Sequence, residues 1–131
     1  MSWPRIMSVG TFGERLDLHI KQGSTFGPMR FEMVNPDDTP VDLSNCEIRS
    51  QIRHQASDAT VVVDIECQLS NPMLGKFEFS LSDEQTRMID AGSSADEMQS
   101  RYVWDMELED GAGRVIPLYY GNVLVLREVT R

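Results

Sequence analysis

The sequence predicts an all-β fold, a two-layer antiparallel β-sandwich with one short helix, and three observations carry that prediction. Apolar and polar residues alternate at period two in run after run, the spacing of a strand with one buried face. Turn-forming clusters interrupt these runs about every 8 to 12 residues, leaving about seven short strands. Only one segment carries the chemistry of a helix start. A small closed barrel is the alternative arrangement of the same strands.

Leu16, Leu18 and Ile20 alternate with Asp17, His19 and Lys21 and form the first run. After Gln22-Gly23-Ser24 comes a second, with Met29, Phe31 and Met33 on one face and Arg30, Glu32 and Val34 on the other. It stops at the turn formers between Asn35 and Pro40. Cys46, Ile48, Ser50 and Ile52 make the third inward row, backed by Glu47, Arg49, Gln51 and Arg53. Val61, Val63 and Ile65 open a fourth strand that runs to Leu69, before Ser70-Asn71-Pro72 breaks it. Phe77, Phe79 and Leu81 give the fifth.

Ser82 and Gln85 stand at the spacing of a capping box, which predicts a short helix over residues 83–90 with Met88 and Ile89 packed down as a lid. An acidic polar loop, residues 95–100, follows. Tyr102, Trp104, Met106 and Leu108 then face inward, against Arg101, Val103, Asp105, Glu107 and Glu109. The Gly-bearing turn at 110–113 predicts a hairpin, with a return strand over 114–120 and a last strand over 122–128.

Composition narrows the function. The chain has 131 residues, 40% of them apolar, which suits one domain with a substantial core and not a two-domain enzyme. A formal charge of −9 makes nucleic acid and anionic membranes poor partners. Apolar runs such as 60–63 and 123–126 fall far short of the roughly 20 residues that span a bilayer, and residues 1–13 do not read as a secretion signal. A soluble protein made in the cytosol is the expectation. Cys46 and Cys67 lie 21 positions apart without a CxxC motif. They read as buried thiols in a reducing compartment, with a disulfide as the other possibility.

No constellation predicts chemistry. His19 and His54 have no HxH, HxxE or cysteine neighbour, so they read as solvated surface residues and no metal is expected. Cys46 falls on an inward face, where a thiol stays protonated, and no GxSxG elbow occurs. The pairs Asp37-Asp38, Asp83-Glu84 and Asp96-Glu97 read as charged turns with nothing to separate their pKa values. Gly111 and Gly113 form a GxG with no helix after it, so no phosphate cradle or cofactor is expected. Asp105, Glu107 and Glu109 make a like-charge ladder that faces solvent or a cationic partner. Trp104 reads as core. Trp3, Ile6 and Phe12, in an arm over residues 1–13 ahead of a sandwich over 14–131, are the candidate partner-binding residues. The arm's other readings are a disordered terminus or a strand laid back on its own sheet.

Five ordered segments carry a resemblance: 21–26 (Lys-Gln-Gly-Ser-Thr-Phe), 39–44 (Thr-Pro-Val-Asp-Leu-Ser), 48–53 (Ile-Arg-Ser-Gln-Ile-Arg), 75–82 (Gly-Lys-Phe-Glu-Phe-Ser-Leu-Ser) and 101–108 (Arg-Tyr-Val-Trp-Asp-Met-Glu-Leu). In that order they resemble the small immunoglobulin-like β-sandwich modules of tailed-phage baseplates and tail-fibre attachment proteins. The resemblance is to the type that forms the amino-terminal domain of upper-baseplate proteins. It implies an immunoglobulin-like fold and a virion structural protein without catalysis, a homo-oligomer in a ring around the tail axis that holds other tail proteins. Many such proteins continue into a fibre or receptor-binding region, whereas this sequence ends at Arg131. That favours an adaptor over direct host binding. Residues 1–13 and 95–100 are not matched by the resemblance, and either could be the docking element. The competing expectation is a carbohydrate-binding sandwich that stacks sugar on Tyr102, Tyr119 or Tyr120.

Overall fold

Period-two alternation becomes two stacked sheets in the computed structural model, which describes residues 5–7, 13–91 and 99–129, with 5–7, 99 and 100 described by backbone alone. The elements are β1 (Arg5–Met7), β2 (Glu14–Arg15), β3 (Leu18–Lys21), β4 (Phe26–Val34), β5 (Glu47–Arg53), β6 (Val63–Asp64), β7 (Glu66–Asn71), β8 (Lys76–Leu81), α1 (Asp83–Arg87), β9 (Gln99–Glu109) and β10 (Val115–Leu126). One sheet has the order β1-β4-β8-β7. The other runs β2-β10-β9-β5-β6, with β3 also paired to β10. The fold is an all-β, two-layer sandwich with one short helix.

The core lies between the inner faces. Phe31 stacks on Phe77 and Phe79 with ring centroids 5.3 and 5.4 Å apart, and Phe79 meets Trp104 at 5.6 Å. Leu18, Ile20, Ile52, Met106, Val123 and Val125 close around these rings. Ser50, the polar member of its inward row, is buried and satisfied, its hydroxyl donating to the Asp105 carbonyl at 2.7 Å.

Several expectations need correction. The first run forms a strand only from Leu18, as β3, and a two-residue strand that the alternation did not predict, β2, precedes it; both pair in parallel with β10. β1 also pairs in parallel with β4, so two margins depart from the antiparallel pattern. The fourth run also divides, because β6 pairs β5 in one sheet and β7 pairs β8 in the other. The chain changes sheets at Ile65, whose amide donates to the Ser50 carbonyl at 2.9 Å. Val34 is buried and not outward, since the end of β4 turns to bridge Pro40.

The expected break at Gly121 is absent, and β10 is one strand with a bulge at Leu118. Pro117 has no amide to give to the ladder, and bulges tolerate proline for that reason. The extra residue leaves both Leu118 and Tyr119 buried. It also turns Val115 and Pro117 to the same outer face as Tyr120, Asn122, Leu124 and Leu126.

The helix is shorter than expected, ending at Arg87. Its capping box forms, with the Gln85 amide donating to Ser82 Oγ at 3.1 Å and the Ser82 amide to Gln85 Oε1 at 2.9 Å. Ile89 is buried, but Met88 is 77% exposed and is no lid. A polar clamp holds the helix instead. Thr86, fully buried, donates from Oγ1 to the Ser24 carbonyl at 2.8 Å and accepts from the Gly23 amide at 3.1 Å. Thr86→Val, which keeps the shape and removes both bonds, is expected to cost about 1–3 kcal/mol. A denaturant midpoint within error of wild type would show that the clamp is idle.

Candidate binding face

The outer face of the six-stranded sheet gathers the chain's outward side chains from β2, β10, β9 and β5. In register, Tyr120 lies opposite Asp105 on one side and Arg15 on the other, and Asp105 lies opposite Gln51. Next to this row, Asn122 faces Val103, which faces Arg53. Together they line a groove of about 330 Å³.

Hydrogen bonds hold its walls. Arg53 donates to Gln51 Oε1 at 2.8 Å and to the Asp58 carbonyl, while Gln51 donates to Asp64 at 3.0 Å. Asp17 accepts from the Asn122 amide at 2.9 Å and pairs with Arg15 at 3.4 Å. The amide and then Arg15 hold the Asp17 carboxyl below its usual value, while loss of hydration followed by the Glu107 charge raises that of Asp105. Tyr120 leaves 46% of its surface open at the centre of the face.

The acidic ladder is real but not bare. Arg49 reaches Glu107 at 3.2 Å and Glu109 at 3.7 Å. The bases on this face are Arg15, Lys21, Arg49, Arg53 and Arg101. The acids are Asp17, Glu47, Asp64, Asp105, Glu107 and Glu109. Among the described residues, five against six makes the face almost neutral in a chain of net charge −9.

Of the candidate partner-binding residues, Trp3 and Phe12 lie outside the described residues. The backbone of Ile6 pairs with Met33 on β4. His19 and His54 are exposed, and the His54 ring sits 4.8 Å from that of Tyr102. Tyr102 and Tyr119 are buried, so of the three expected sugar platforms only Tyr120 is open. Trp104 is core as expected. Cys46 and Cys67 are free thiols, each half-buried. Among the described residues no group of three or more His, Cys, Asp or Glu is placed to hold a metal, and no helix is long and apolar enough to cross a membrane. Gln51, Arg53, Asn122 and Arg15 were not legible as a group, because three separate pairings bring them together.

Burial, aided by nearby acids, pushes the Cys67 thiol and the Tyr119 phenol each up to about 12. The unfolded chain releases these protons from about 9 and 10 upward. Stability is therefore expected to be flat in these groups below pH 9 and to fall as pH rises towards 12. Denaturant melts across that range check it, and a Cys67→Ala, Tyr119→Phe variant should show a shallower slope.

No family model and no curated protein matches this chain. Among solved structures, the chain is similar to the bradyzoite-specific antigen BSR4 of Toxoplasma gondii, at 10% identity and a TM-score of 0.33. The match covers 99% of this chain and 50% of that one, so the chain spans half the length of that antigen.

Proposed function

We propose that this chain is a non-enzymatic structural module of a phage tail or baseplate, an adaptor that joins tail components or anchors a fibre or receptor-binding protein. The order of the five segments, now falling on the β3–β4 turn, the 39–44 turn, β5, β8 and β9, supports the reading. So does an architecture that spends its apolar rows on one closed core and leaves its margins and outer face for contacts. In this reading the protein works by adhesion, copies itself around the tail axis and resides in the virion tail after synthesis in the host cytoplasm. Trp3, Ile6 and Phe12 dock on a neighbouring tail protein. Deletion of residues 1–13 is expected to abolish incorporation into purified particles, and unchanged incorporation would refute the docking role.

A second reading, carbohydrate binding, is favoured by one observation: Tyr120 is open in a groove lined by Gln51, Asn122 and Asp105, groups that suit sugar hydroxyls. A glycan-array signal lost in Tyr120→Ala, without particle association, would replace the first reading.

A further inference from the structure

We infer that the outer face of the six-stranded sheet takes a second copy of this chain, face to face, about a two-fold axis through the row of Tyr120 and Asp105. This does not rest on the virion reading. Three observations carry it.

The first is charge. The face is nearly neutral while the chain carries −9, so copies meeting by other surfaces bring net negative charge together and copies meeting here do not.

The second is apolar exposure. Val115, Tyr120 and Leu126, exposed at 49, 46 and 41%, all project from the outer face of β10. The bulge at Leu118 is what puts Val115 on the same side as the other two.

The third is the order of residues about the central row. On β9, Arg101 stands four positions before Asp105 and Glu109 four positions after it. On β10, Leu124 is opposite Arg101 and Val115 is opposite Glu109. A two-fold axis lying in the face, perpendicular to the strands, sets β9 against β9 running the other way. Arg101 then falls over Glu109 of the second copy, Leu124 over its Val115, and Tyr120 over its Tyr120. The Arg101–Glu109 and Leu124–Val115 contacts each form twice, as a self-complementary patch requires. The two Asp105 carboxyls come close to the axis beside Arg53 of the groove, and the same register sets Arg15 over Arg15 and Arg49 over Arg53 of the second copy, like charges that keep the pair weak.

Four strands about 4.8 Å apart, over about eight residues at ~3.4 Å each, give roughly 500 Å² per copy. That total sits at the small end of specific interfaces, so the pair is weak and sensitive to salt.

Sedimentation equilibrium of the full chain from about 10 to 300 µM tests this. The expected result is a monomer–dimer equilibrium that loosens at least about tenfold between low and high salt. Arg101→Glu and Glu109→Lys should each weaken pairing about tenfold, and the double variant should return close to wild type. Circular dichroism confirms that each variant is folded. A monomer throughout the range, growth beyond two copies, or a double variant no better than the singles would overturn the proposal.

Discussion

Replacing Trp104 by alanine is expected to lower stability by about 3–5 kcal/mol, a large share of what a domain of this size possesses. The indole is 3% exposed and packs on Phe79 and Tyr119, so its loss opens a cavity in the centre of the core. It also removes a bond to the chain's own margin, because Trp104 Nε1 donates to the Leu16 carbonyl at 2.7 Å. Trp104→Phe separates the two effects: it keeps most of the ring and strands a carbonyl turned inward, for about 1–2 kcal/mol. Thermal and denaturant melts measure both. A Trp104→Phe variant as stable as wild type would mean that packing alone fixes this residue.

Gly121→Ala should act on the same carbonyl from the other side. A Cβ at position 121 would stand 2.2 Å from the Leu16 oxygen and 2.9 Å from Asp17 Oδ1. Backbone must move, and the movement peels the margin formed by β2 and β3 from β10. Leu16 would lose its amide bond to the Tyr120 carbonyl, 2.8 Å, and Asn122 its amide bond to Asp17. The expected cost is about 2–3 kcal/mol, with faster amide exchange at Leu16 and Asn122. Because both substitutions act through one peptide group, their effects with Trp104→Phe should fall short of additive by at least about 0.5 kcal/mol. Full additivity would show that the two contacts are independent.

The same residues explain what was legible. Strands β4, β5, β8 and β9 were readable because each has one face in the core and one outside, so period two is written in side-chain polarity. The helix start was readable because Ser82 and Gln85 satisfy backbone groups only a few positions away. The two sheets met by β6 and β7 were not. The inward row Val63, Ile65, Cys67 keeps its alternation through the crossover, since either sheet offers the same apolar interior. The bulge at Leu118 was missed for a related reason: an inserted residue shifts the phase, and the shifted strand resembles two short ones. Met88 was misplaced because the helix ends a turn early, which rotates it outward.

The amino-acid sequence by itself determined that this chain makes strands, where most of them turn, and which side chains of the regular strands face the core, because those choices depend on neighbours one to four positions apart. Tertiary structure alone decided which strands pair beyond the β9–β10 hairpin, that three margin pairings run parallel, and that Arg15, Gln51, Arg53, Asp105, Tyr120 and Asn122 share a groove. Backbone hydrogen bonding between strands is the same for every residue type except proline, so partner choice leaves little trace in local polarity. It is settled only when the whole interior is filled at once.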